Sequence, residues 1–222
     1  MTMIEYADRD MLAMGVADVL ASELKKYLLT HPVASFVVPG GTTPGPIFDN
    51  LCAANLEWNR VHVMLSDERW VPETHARSNA SLIRSRLLVE RAAAAHFIPF
   101  FQADLTPDQA APLLSEDLAG TMPISLLLLG MGADMHTASL FPGARGLRAM
   151  LAPDAPLLVP VEVVGQEPRL SFSGPALAGA ISKHLVIFGL EKRAALERAK
   201  EMDPLYAPIR AVLDGMTVHW AE

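Results

Sequence analysis

The sequence predicts an α/β fold: a mostly parallel sheet flanked by helices in three α/β/α layers. Three features carry that expectation. Short β-rich apolar runs alternate with helix-patterned segments along the chain, the order that a parallel sheet with crossover helices requires. The run Ile124–Leu129 is apolar on both faces, as a strand covered on both sides is. Several runs stop at loops rich in Gly, Thr or Asp. No repeat, linker or shift in composition divides the chain, so residues 1–222 are expected to form a single domain.

In chain order, Leu12, Val16, Val19, Leu24, Tyr27 and Leu28 recur at three- and four-residue steps with Glu23, Lys25 and Lys26 outside. This predicts a helix over Asp8–Thr30, ended by His31-Pro32. Val33–Val38 reads as a strand, Pro39-Gly40-Gly41-Thr42-Thr43-Pro44 breaks it, and Ile47–Ala54 reads as helix. A strand, a tight loop and a helix start aim unpaired backbone N–H groups at an anion. Gly40 and Gly41 permit close approach, and the hydroxyls of Thr42 and Thr43 add donors. No Lys-Ser or Lys-Thr follows the glycines, so this is not a Walker loop; an ordinary βα turn is the competing reading.

Val61–Ser66 is a further strand, ending in Asp67-Glu68-Arg69-Trp70-Val71-Pro72. Parallel strands would set Asp67 at the same sheet edge as the Gly/Thr loop, although in isolation a solvated charged turn is the simpler reading. Ser78 and Asn79 are N-cap candidates for a helix over Ala80–Val89, and Arg77 beside them is within reach of an anion. Phe97–Phe101 reads as extended, and Pro107–Ala119 as a helix with Pro in its first turn.

The strand Ile124–Leu129 leaves through Gly130 and Gly132 into a cluster containing Asp134, His136, Thr137, Ser139 and Pro142. In open parallel sheets ligands bind at the carboxyl ends of strands, so any chemistry is expected here; an ordinary glycine-rich strand exit with a structural His is the competing reading. Beyond it come strands over Leu157–Val163 and Arg169–Ser173, a helix over Pro175–Ile181, a strand over His184–Gly189 and a helix over Leu190–Lys200. A short helix at Ile209–Leu213 and a strand at Thr217–Trp220 complete the chain. Lys192 falls in a first helical turn, where the helix dipole disfavours a cation, a mild sign that an anion is expected nearby; an offset by the adjacent Glu191 is the competing reading.

A net charge of -7 argues against a nucleic-acid partner but not against a small anion held by a few local cations. No apolar stretch approaches the roughly 20 residues that span a bilayer, and the N-terminus lacks the basic and apolar regions of a signal peptide. A cytoplasmic location without a membrane partner is therefore expected. The lone Cys52 excludes an internal disulfide and a cysteine-based metal site, and it reads as a small buried residue of a helix. Asn79-Ala80-Ser81 matches a glycosylation acceptor only by accident if there is no secretory signal.

Four segments, PGGTTP (39–44), SDERWVPETHARSN (66–79), LGMGADMHTASLFPG (129–143) and the region Arg169 to Lys192, together resemble the 6-phosphogluconolactonases over nearly the whole chain. The resemblance implies a Rossmann-like α/β/α fold and hydrolysis of 6-phospho-D-glucono-1,5-lactone in the oxidative pentose phosphate pathway, with no cofactor or metal, by a monomer or weak homodimer. It implies that Gly40, Gly41, Thr42 and Thr43 hold the phosphate, helped by Arg169, Lys192 and Arg77. It also implies that His136 is the base and that Asp67 and Asp134 orient water, imidazole or sugar hydroxyls. The related glucosamine-6-phosphate deaminases look similar in the Gly/Thr loop, but their third motif continues toward Asn-Glu-Pro where this chain has Ser139-Leu140-Phe141-Pro142. One departure stands out: Met135 occupies the position between Asp and His where the family has Gly. If that position needs φ > 0, Met costs about 1 kcal/mol or more and could swing His136 out of place, leaving a sugar-phosphate binding protein.

Overall fold

The structure is a computed structural model describing residues 1–222. Its main sheet has seven strands: β1 (Thr2–Glu5), β2 (Ala34–Val38), β3 (Val61–Leu65), β5 (His96–Ile98), β6 (Leu126–Gly130), β9 (Ser182–Phe188) and β10 (Thr217–Ala221). They are ordered β1-β10-β9-β6-β2-β3-β5, and every neighbouring pair runs parallel. Among the flanking helices, α1 (Arg9–Leu28) packs on α2 (Gly45–Leu51) and lies across β2, β6 and β10, and α7 (Gly189–Ala199) packs on β9 and β10. The remaining helices are α3 (Asn79–Arg86), α4 (Pro107–Leu118), α5 (Leu147–Met150) and α6 (Gly174–Ala178). No helix is long and apolar enough to cross a membrane.

This α/β architecture is the one the alternation of segments predicts. The strands β2 and β6 are buried almost throughout, which is why they read as apolar runs, broken in β2 only by Ser35, whose hydroxyl bonds Ser125. Caps fix the helix starts: Asp8 accepts from Met11 N, Ser78 from Ser81 N, and Thr106 and Gln109 form a reciprocal capping box.

Strand order also locates a switch point. From β2 the chain moves outward to β3 and β5, then returns to lay β6 on the other side of β2 before continuing to β9 and β10. The loops leaving β2 and β6 therefore part in opposite directions, and a crevice opens between their carboxyl ends.

A second sheet, β4 (Asp67–Arg69), β8 (Arg169–Phe172) and β7 (Leu158–Val161), is antiparallel. It departs directly from β3: Ser66 N still donates to Val38 O in the main sheet, while Ser66 O accepts from Phe172 N in the second. The segment Asp67-Glu68-Arg69 is thus a strand rather than a solvated turn. Asp67 is 6% exposed and Glu68 is fully buried. Glu68 accepts from the backbone N–H of Arg69, Asn79 and Ala80 and from Ser78 Oγ, which ties β4 to the start of α3.

A polar chain crosses the edge of the core between α1, β9 and β10. With Glu23 ionised, one proton order satisfies it with neutral imidazoles. Tyr6 OH donates to His219 Nδ1 (2.9 Å), His219 Nε2–H to His184 Nδ1 (3.0 Å), and His184 Nε2–H to Glu23 Oε2 (3.0 Å). Burial, with His184 adding to it and Glu23 opposing, pushes the His219 imidazole from 6.5 down to about 4. Burial raises the Glu23 carboxyl, but hydrogen bonds from His184 and Ser182 outweigh it and hold the group below its usual value.

The unfolded chain therefore takes up a proton on His219 near pH 6.5, and the folded chain not until about pH 4. Stability from this group is complete above about pH 6.5 and is lost as pH falls toward 4, by about 3 kcal/mol. The His219 ring C–H resonance is expected to stay flat by NMR down to about pH 5 while the Tm falls. A ring titrating in the folded state near 6.5 would contradict this.

Candidate active site

The crevice at the switch point is a cavity of about 260 Å³. Its walls come from the loop after β2, the end of β3 with β4, the loop after β6, the start of β8 and the first turn of α7. Gly40, Gly41, Thr42, Thr43, Asp67, His136, Arg169 and Lys192 all line it.

The loop after β2 presents donors with no protein acceptor. The backbone N–H groups of residues 40 to 43 and the two Thr hydroxyls make no hydrogen bond within the chain, and α2 has no side-chain cap. Gly41 has φ +84°, a left-handed conformation that turns the loop, and Gly40 lies so close to the Asn79 side chain that a Cβ would fall 1.8 Å from Oδ1. Asn79 is fixed in turn, its Nδ2 donating to Asp67 O at 2.8 Å.

Opposite this loop, antiparallel pairing sets Arg69 directly across from Arg169, and both line the cleft. Like charges facing each other across a strand pair are unfavourable, and the Nε of each is buried without a partner. Burial pushes the Arg169 guanidinium below its usual value, with Asp67 opposing. Lys192, in the first turn of α7, has no carboxylate or hydrogen-bond partner. Arg69 and Lys192, with no carboxylate partner, and Arg169, with only Asp67 at 3.9 Å, stand beside unpaired amides, an arrangement that a bound anion would complement.

Arg69 is the residue that sequence reasoning passed over. Its signal was the odd-even alternation of Asp67, Glu68 and Arg69, which as a strand puts residues 67 and 69 on one face. Arg77, expected near an anion, does not line the cleft: its guanidinium pairs with Glu167 (2.9 Å) and donates to Gln166 Oε1 (3.1 Å). The same Gln166 oxygen accepts from Arg169 (2.6 Å), and Arg77 O accepts from Arg69 (2.9 Å), so Arg77 braces the two arginines that do line it.

The loop after β6 carries the imidazole. Asp134 Oδ1 lies 2.5 Å from His136 Nδ1, leaving Nε2 without a protein partner, and the backbone N–H of His136 also donates to Oδ1. An Nδ1–H held by a carboxylate makes Nε2 the basic nitrogen. His136 is part-exposed in the cleft and its ring lies against Phe141, 4.5 Å between centroids, with Arg169 on the Phe141 ring at 5.0 Å. Asp134 supports the ring from outside the cleft and is about half exposed.

Asp67 does not face a ligand with free oxygens. Oδ1 accepts from Ser66 Oγ (2.9 Å), and Oδ2 accepts from Ser139 Oγ (2.5 Å) and lies 3.9 Å from Arg169. Its geometry is that of a buried tie between the second sheet and the loop after β6.

Met135 does adopt φ +67°, yet His136 is not displaced. The strained turn is held on both sides: Met135 N donates to Gly132 O (3.0 Å), Met135 O accepts from Ile209 N (3.1 Å), and its side chain packs on the core.

Fold and cleft together define a class: a doubly wound α/β protein with a small anion-receptive cleft at its switch point and an imidazole beside it. The chain belongs to the family of glucosamine-6-phosphate isomerases/6-phosphogluconolactonase, whose sequence model matches residues 7–220. It is 40% identical to a 6-phosphogluconolactonase of Pseudomonas aeruginosa, over 94% of this chain and 90% of that one. It is 38% identical to one of Rhizobium meliloti, over 95% and 94%. Among solved structures it resembles a 6-phosphogluconolactonase from Shewanella baltica, with TM-score 0.94 and 31% identity over 100% of this chain and 97% of that one.

Proposed function

We propose that the chain is a 6-phosphogluconolactonase, hydrolysing 6-phospho-D-glucono-1,5-lactone to 6-phosphogluconate in the oxidative pentose phosphate pathway. The observation that carries this reading is a free imidazole nitrogen in the same small cleft as an unsatisfied anion site. The phosphate sits on the Gly40–Thr43 amides with Arg69, Arg169 and Lys192, and the lactone ring extends toward His136. His136 Nε2 takes a proton from water as its oxygen bonds to C1. The resulting imidazolium, steadied by Asp134, returns the proton to the ring oxygen as the C1–O bond breaks. Phosphate binding remote from C1 supplies orientation. A δ-lactone is an activated ester, so a positioned base suffices.

The amino-sugar isomerase alternative needs a free carboxylate to carry a proton between carbons. Both oxygens of Asp67 are engaged by Ser66, Ser139 and Arg169, which favours the lactonase reading. A coupled assay of lactone opening, corrected for spontaneous hydrolysis, tests the proposal. A rate equal to the uncatalysed control, or ammonia release from glucosamine 6-phosphate, would overturn it.

Gly132→Ala separates geometry from stability. A Cβ there would lie 2.2 Å from His136 Nδ1 and 2.5 Å from Asp134 Oδ1, both side-chain ends that can swing away. The variant is expected to keep its stability within about 1 kcal/mol while kcat drops by roughly tenfold or more. Unchanged kcat would show that the His136–Asp134 placement is not needed.

A further inference from the structure

The amino end of the same sheet carries a second cavity, about 530 Å³ against about 260 Å³ for the cleft. Glu23, Tyr27, Leu29, Leu126, Ile181 and Ser182 line it, where α1 ends and β6 and β9 begin. Its size is that of a small-molecule site. Two large aliphatic side chains at it face solvent, Leu29 at 78% and Ile181 at 57% exposure. The Tyr27 ring is held as a wall by stacking on His31, 3.9 Å between centroids and 8° from parallel.

Glu23 is the one carboxylate of this cavity, and only one of its two oxygens is engaged. Oε2 accepts from Ser182 Oγ (2.5 Å) and His184 Nε2 (3.0 Å), while Oε1 accepts from nothing. No Lys or Arg pairs with it, not even Lys26, which also lines the cavity. Its one titratable partner, His184, bonds Oε2 alone, and no Lys or Arg reaches Oε1. A part-buried anion with one free oxygen, set among apolar walls, complements a ligand with an ammonium head and an apolar body.

We propose that this cavity is a binding site, distinct from the cleft, for a small apolar-bodied monocation such as a protonated arylalkylamine. Its ammonium meets Glu23 Oε1 and Ser182 Oγ, and its body lies on Tyr27, Leu29, Leu126 and Ile181. An anion on the same body is repelled by Glu23, and a neutral analogue leaves the free oxygen unmatched.

The test is an amide NMR titration of the full chain near neutral pH with three probes sharing an indole body: tryptamine, tryptophol and indole-3-propionate. Tryptamine is expected to give saturable shifts centred on residues 23–30 and 181–184. Tryptophol should bind roughly tenfold more weakly, and indole-3-propionate should not saturate. Glu23→Gln should reduce tryptamine to the tryptophol level. Because that change also touches the buried His184 chain, Ile181→Ser, at an exposed position, serves as a second variant and should weaken tryptamine and tryptophol alike. No saturable tryptamine shift there, equal binding of the three probes, or unaltered tryptamine binding by both variants overturns the proposal.

Discussion

His136→Ala is expected to lower kcat for lactone hydrolysis by about 10²- to 10⁴-fold, the range that a positioned general base supplies. KM should move little, because the groups assigned to the phosphate, Gly40 to Thr43 with Arg69, Arg169 and Lys192, stand on other elements of the cleft. Stability should barely change: the ring is part-exposed and its hydrogen bond is to a half-exposed carboxylate. Asp134→Asn should cost less, roughly tenfold in kcat, since it leaves the imidazole in the cleft and removes only the group that fixes its tautomer. Steady-state rates above the spontaneous background measure both. A variant lacking the ring that keeps kcat within a factor of two or so would remove His136 from the chemistry, and would point instead to water activated by the cations.

The contrast between what could be read in the sequence and what could not follows from how local each signal is. Strand β6 was legible because it is covered on both faces and so is written as a continuous apolar run, and β2 and β3 because each departs from that pattern at only one residue, Ser35 and His62. Strand β1 was not. Its residues Thr2–Glu5 are mostly exposed and carry no pattern, and they are extended because they pair with Thr217–Trp220 at the far end of the chain. Asp67 and Glu68 looked like a solvated turn for a related reason. They are extended because they pair with β8, about a hundred residues later, and nothing near residue 67 announces that partner.

In the site, His136, Asp134 and the Gly/Thr loop were legible because each sits at a glycine-marked strand exit. Arg69 and the true place of Arg77 were not, because which arginine faces the cleft depends on the antiparallel register of β4 on β8. Met135 was legible as a departure whose cost depended on whether its position takes φ > 0, and it does, at φ +67°. Its consequence was not legible, since the hydrogen bond from Ile209 that steadies the turn comes from a segment over seventy residues away.

Asp67→Ala is expected to be the most destabilising single change at the site, and the reason is structural before it is catalytic. The side chains of Asp67 and Arg169 are 9% and 7% exposed, so deleting the carboxylate leaves a guanidinium buried without its counter-charge. It also strips the acceptor from the hydroxyls of Ser66 and Ser139. Breaking a buried pair in this way costs about 3–5 kcal/mol, which for a chain of this length is a fall in Tm of roughly 6–20 °C. Function should fail by a different route from His136→Ala. Arg169 and the loop after β6 lose their common anchor, so KM should rise together with a drop in kcat. Asp67→Asn keeps an acceptor for one hydroxyl and should fall between the wild type and the Ala variant in Tm. Thermal melts of the three proteins decide the matter. If Asp67→Ala melts within about 2 °C of the wild type while losing activity, the carboxylate acts on substrate rather than on the fold, and the free-carboxylate chemistry of the amino-sugar isomerases becomes the better reading of this cleft.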